Sequence, residues 1–213
     1  SSRRRHTRYW RDWSSDVCSS DLLTLLRLTP SHELAVIEMG ANKPFDIDEL
    51  CRIAAPTHGI ITNIGKAHLE GFLNFEGVLK TKSELYDHVA ANAGHIFVNA
   101  DDDLLMQKAN DFSRYTYGKK NADVVGELIS TEGNLVVKWK TKNENKETIA
   151  TSHLPGSYNF PNIMAAICIG TYFGLSAKQI NKGIQNYIPS NNRSQIIKSG
   201  SNTLIMDAYN ANP

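Results

Sequence analysis

The sequence predicts an α/β fold, a mostly parallel sheet flanked by helices and extended by a small antiparallel β subsheet. Three short apolar runs, LAVIEM (34–39), HGIITNIG (58–65) and GHIFVNADD (94–102), alternate with stretches of helical spacing. That is the pattern of strands buried on both faces and joined by right-handed helical crossovers. Beyond about Arg114 the period changes, and VVGELIS, NLVVKWK and KETIATSHL alternate or run β-branched between turn-rich loops. Such a run of strands reads as an antiparallel meander, a decoration on the parallel core.

Taken in order, LAVIEM is the first strand, with Glu38 near its end, and GANKP turns the chain. Asp46 to Ala55 has helical spacing with Ile47, Leu50, Ile53 and Ala54 inward, and Pro56 ends it. HGIITNIG is the second strand and its loop, Phe75 to Ala91 the second helix, and GHIFVNADD a third strand ending in acids. In a parallel sheet ligands gather beyond the carboxyl ends of the strands, so Glu38, Asn63 to His68 and Asn99 to Asp101 are expected at one edge. After the meander, Gly156 to Gly174 reads as a glycine turn feeding an apolar helix, with Pro161 early and Gly174 past the end. Ser176 opens a shorter helix to about Tyr187, and SQIIK and TLIMD form two β-like runs joined by Ser-Gly-Ser-Asn.

Composition narrows the function. With 23 Lys+Arg against 22 Asp+Glu in 213 residues, nothing global points to a nucleic-acid or membrane-surface protein. No run approaches the roughly 18 apolar residues of a membrane span, and the N-terminus lacks the apolar core of a signal peptide. Cys18, Cys51 and Cys168 show neither disulfide-framework nor zinc spacing, which predicts reduced thiols and a cytoplasmic location. The expected protein is a monomer that binds neither nucleic acid nor membrane.

Residues 1–21 stand apart, with five Arg, two of the three Trp and six Ser but no helix or strand period. An arginine arm for nucleic acid and a disordered tail are both open readings. The favoured one is a non-native segment resembling read-through of foreign DNA, with native sequence starting near Leu22. The expected organisation is thus 1–21 non-native or disordered, 22–189 a central domain truncated at its N-terminus, and 190–213 the truncated start of a further domain.

The second helix carries an oddity. With Val78 at zero and 100° per residue, Leu79, Leu85, Tyr86 and Val89 fall at about 100°, 340°, 80° and 20°, and Lys82 at about 40°, inside that apolar face. Lys80, Ser83, Glu84 and Asp87 take the other side. Lys82 either snorkels along apolar surface or is aimed into a site where partial burial lowers its pKa. Hard divalent cations favour carboxylate oxygens, which makes Glu38 a candidate magnesium ligand and His68 an unusual one. An ammonium cannot ligate a cation, so Lys82 joins that set only as a carbamate. Singly, Glu38 also reads as a loop cap and His68 as a surface histidine.

The joint pattern is more specific. VIEMGAN, ITNIGKAHLEGF, TKSELY, GSYNFPNIMAA and DAYNANP, in that order, resemble the Mur ligases, from about Leu22 to Pro213. The nearest branch is the one that joins D-alanyl-D-alanine to UDP-N-acetylmuramoyl-tripeptide in peptidoglycan precursor synthesis. The resemblance implies a central ATP-binding domain, with ATP and magnesium as cofactors. It implies that Glu38, His68 and carbamylated Lys82 bind the metal, with Lys82 and His68 at the chemistry. Asn159, Asn162, Arg193 and Asp207 then match nucleotide-contacting positions. A different Mur-type or folylpolyglutamate-synthetase-like ligase, or a non-catalytic nucleotide-binding remnant, is the alternative. Departures are Tyr158, where relatives often have His, and Ser83, where Gly is common. No G-x-x-G-K-[ST] motif, which would hold phosphate, occurs in the 213 residues, and the isolated chain is expected to be inactive.

Overall fold

The computed structural model describes residues 25–65, 72, 74–132, 134–144, 146–189, 195–200 and 202–206. The chain divides into two units, 1–57 with 64–94, and 58–63 with 95–213.

In the first unit, helix α1 (Asp46–Ala54) and helix α2 (Phe75–Ala91) form where their spacing predicts. Asn74 caps α2, its side chain accepting from the Gly77 amide. α1 buries Ile47, Leu50 and Cys51, and Met39, Ala41 and Leu85 pack against them. Ile53, predicted inward, is 45% exposed. From Ile47, Leu50, Cys51 and Ala54 follow at steps of three, four and seven residues, whereas Ile53 falls on another side of the wheel. On α2, Val78, Leu79, Tyr86 and Val89 are buried as predicted. Ser83, predicted on the solvated side, is only 8% exposed and donates its hydroxyl to the Leu79 carbonyl at 2.7 Å.

The predicted first strand is a correction. Residues 34–40 adopt neither strand nor helix, and Val36 is 85% exposed. An apolar run becomes a buried strand only when neighbours pair its backbone groups. Among the described residues LAVIEM has no ladder partner.

The second unit holds a six-stranded sheet in sequential order β1-β2-β3-β4-β5-β6. Strands β1 (His58–Ile60), β2 (His95–Asn99), β3 (Arg114–Gly118) and β4 (Val124–Ser130) are mutually parallel neighbours. β4, β5 (Leu135–Thr141) and β6 (Thr148–Ser152) then run antiparallel. The meander therefore continues the parallel sheet through β3, a strand that the sequence reading passed over. Helix α3 (Asp103–Lys108) follows β2 and is capped by the Asp102 carboxylate.

Helix α4 (Phe160–Tyr172) lies against β2, β3 and β4, and helix α5 (Ala177–Asn186) against β6. Ser176 and Gln179 close a capping box at the start of α5. The core between helices and sheet includes Phe97, Tyr117, Val124, Val137, Trp139, Met164 and Ile167. Gly126 on β4 gives α4 its close approach, since a Cβ there would stand 2.5 Å from the Met164 sulfur. The Trp139 indole donates to Asn181 Oδ1 at 3.1 Å, and Asn181 donates to the Ile149 carbonyl at 2.7 Å, tying α5 to β5 and β6. At the start of the parallel strands the His58 ring stacks on Phe97 and meets Tyr172 edge-on, with Nε2 3.3 Å from the tyrosine oxygen. β7 (Gln195–Ser199) and β8 (Asn202–Met206) form the predicted hairpin.

Candidate functional site

In the second unit the site is built where α4 begins. Gly156, at φ 80°, takes a backbone conformation that side chains rarely adopt and delivers a 3-10 turn, Ser157–Asn159, straight into α4. Pro161 sits in the first turn, where its missing N–H costs nothing. This geometry separates two asparagines that look alike in sequence. Asn159 is 6% exposed and donates Nδ2 to the Pro155 carbonyl at 2.7 Å. Its Oδ1 accepts from Asn162 Nδ2 at 3.1 Å, and Asn162 is exposed. The first holds the turn; the second presents its amide oxygen and remaining N–H outward.

The carboxyl ends of β2 and β3 are fastened by the Asp101 carboxylate, which accepts from the Lys119 amide at 2.9 and 3.1 Å. Lys119, exposed, sets its ammonium 6.0 Å from the centre of the Phe160 ring, the first residue of α4. This cation beside the asparagine turn was not anticipated. Its only sequence signal was its place directly after a five-residue strand.

In the first unit, Glu38 is exposed on the irregular stretch before α1. Lys82 is partly buried on α2, and burial pulls its pKa below the ordinary lysine value. Burial therefore favours the neutral amine, the form that adds carbon dioxide to give a carbamate. The Glu38 carboxylate with a carbamate on Lys82 would be an oxygen donor set of the kind magnesium takes, so the chemistry of these residues fits the ion. His68, Arg193 and Asp207 lie outside the described residues, and no group of three or more His, Cys, Asp or Glu side chains set to hold a metal occurs among those described.

Sequence reasoning missed Glu84, placed on a solvated face. Its Oε1 accepts from the Phe45 amide at 3.1 Å and its Oε2 from the Asp48 amide at 3.0 Å. Phe45 occupies the N-cap position of α1 and has no capping side chain. That deficit was the readable signal that another group must serve those amides.

Fold and site together define an α/β domain whose parallel strands end beside a helix that opens on paired asparagines. The profile of the Mur ligase middle domain matches residues 20–170, and the chain belongs to the Mur ligase family. A UDP-N-acetylmuramoyl-tripeptide–D-alanyl-D-alanine ligase of Buchnera aphidicola is 35% identical over 199 residues, covering 89% of this chain and 42% of the relative. The crystal structure of MurF from Acinetobacter baumannii superposes with a TM-score of 0.78 at 29% identity, over 88% of this chain and 42% of that one. MurF from Thermotoga maritima, solved in complex with ADP, shares the fold with a TM-score of 0.68 at 24% identity, over 80% of this chain and 40% of its own. The chain thus spans about two fifths of the length of these relatives. No helix among the described residues is long and apolar enough to cross a membrane.

Proposed function

We propose that the chain is the middle-domain portion of an ATP-dependent amide ligase that adds D-alanyl-D-alanine to UDP-N-acetylmuramoyl-tripeptide in the cytoplasm. In that reaction ATP phosphorylates the peptide carboxylate, releasing ADP. The amine of D-alanyl-D-alanine then attacks the acyl carbon, a C–N bond forms, and inorganic phosphate leaves with the acyl-oxygen electrons. The similarity to ligases of this specificity over 89% of the chain carries the reading.

Each residue has a part in it. Asn162 meets the nucleotide with an amide able to donate and accept, and Asn159 orients it through the hydrogen bond at 3.1 Å. Arg193 suits phosphate and Asp207 suits ribose hydroxyls or the adenine amine. Glu38, His68 and carbamylated Lys82 would hold magnesium, which when bound neutralises charge on the transferring phosphoryl group. Catalysis on this reading is positioning and electrostatics, so a chain without a phosphate-binding glycine loop binds nucleotide but makes no amide. The protein acts as a monomer on small-molecule substrates, with no nucleic-acid partner.

Calorimetric titration of the purified chain with ADP and magnesium tests this. The expected result is saturable binding that weakens about tenfold in Asn162→Ala, the equivalent of roughly 1.4 kcal/mol. Equal binding by the two proteins, or none by either, would overturn the nucleotide site, and steady amide formation would overturn the inactivity of the isolated chain.

A further inference from the structure

α1 starts badly by its own sequence. Phe45 stands at the N-cap with φ 71°, and its side chain cannot accept a hydrogen bond from the first turn. Asp46 turns the other way, its Oδ2 accepting from the Asn42 and Lys43 amides at 2.9 and 3.0 Å. The amides of Phe45 and Asp48, at the N-cap and third helical positions, go instead to the two carboxylate oxygens of Glu84 on α2. A function that helices usually meet within four residues is met here across 36 and 39 residues of chain.

The consequence reaches both Glu38 and Lys82. Met39, next to Glu38, packs on the α1 core, and Cys51 lies 3.9 Å from its sulfur. Asn42 and Lys43, a few residues on, are held by Asp46. The stretch that carries Glu38 is thereby fixed to α1, and Glu84 fixes α1 to α2 two residues beyond Lys82. At 100° per residue Glu84 and Lys82 stand about 200° apart around the helix. Glu84 therefore cannot share a ligand with Lys82 and acts through the backbone.

We propose that Glu84 is a positioning residue that sets the separation between Glu38 and Lys82 by capping α1 from α2. This rests on the reading of Glu38 and Lys82 as metal ligands. The requirement is chemical: two oxygen donors on separate elements bind a small cation well only if those elements are held together, and outer-shell supports of this kind change metal affinity about 10- to 100-fold when removed.

The test uses the full chain with Mn²⁺ as a paramagnetic stand-in for magnesium, titrated by electron paramagnetic resonance in bicarbonate buffer. Carbon-13 carbonate provides an independent carbamate signal at Lys82. Glu84→Ala is expected to lower Mn²⁺ affinity at least about tenfold while helical circular dichroism is retained. Should that variant fail to fold, Glu84→Gln, which keeps one acceptor, is read in the same way. Glu38→Gln and Lys82→Met report on the underlying reading. If they weaken Mn²⁺ binding and the folded Glu84 variant does not, the positioning role alone is overturned. If neither weakens it, or the unaltered chain binds no Mn²⁺, the metal reading falls and this inference with it. If Phe45→Asn, which supplies a local cap, restores affinity in the Glu84→Ala background, Glu84 is only a helix cap and the proposal is overturned.

Discussion

Asn162 donates its side-chain amide to the buried Oδ1 of Asn159 across 3.1 Å, so that one asparagine is structural and its neighbour is presented to solvent. Asn159→Ala removes a buried group with partners at Pro155 and Asn162 and should cost about 1–3 kcal/mol. Asn162→Ala removes only one of those two bonds, leaving the buried Asn159 Oδ1 without this donor while the bond to Pro155 stays, and should cost less, about 0.5–1.5 kcal/mol. Urea denaturation of both variants checks the asymmetry, and equal costs would show that Asn159 does not anchor the turn.

Asn181 joins α5 to two strands, through the Trp139 indole and the Ile149 carbonyl. Asn181→Ala should lower stability by roughly 1–3 kcal/mol, because the Trp139 N–H on a largely buried ring loses its acceptor. In a double-mutant cycle, Trp139→Phe should cost less in the Asn181→Ala background than alone. Strict additivity would contradict the bond.

Acid should loosen the second unit through His58. Burial, and secondarily the neighbouring His95, hold its pKa below the ordinary 6.5. The unfolded chain then binds the proton more readily than the folded one, so this contribution to stability is complete above 6.5 and falls as pH drops through the window below it. His58→Phe keeps ring packing against Phe97 and Tyr172 and should flatten the decline in urea midpoint between pH 7.5 and 5.5. An unchanged slope would remove His58 as its source.

Most elements were legible because their signals are local. The helices α1, α2, α4 and α5 follow from apolar spacing and end signals, and β4 and β5 from alternation. What was not legible depends on partners. LAVIEM has the composition of a buried strand, yet strand formation needs neighbours that the run itself cannot supply. β3, RYTYG, is short and only partly apolar, and it is a strand because β2 and β4 lie on either side of it. At the site, the wheel placed Lys82 on the apolar face correctly, and the structure finds it partly buried. The same wheel sent Glu84 to solvent, since no periodicity reveals that a distant helix lacks its own cap. Asn159 and Asn162 were indistinguishable as letters, and only the turn at Gly156 assigns them different work.

The second unit is not one stretch of chain: β1 belongs to it, while residues 64–94, which separate β1 from β2, belong to the first. A gene fragment cut to begin at His95 would therefore encode the described sheet without β1. β2, whose middle three residues are buried, would then face water along a row of unpaired amides and carbonyls. Such an edge recruits further strands, so a subclone of this kind should come out of the cell as aggregate.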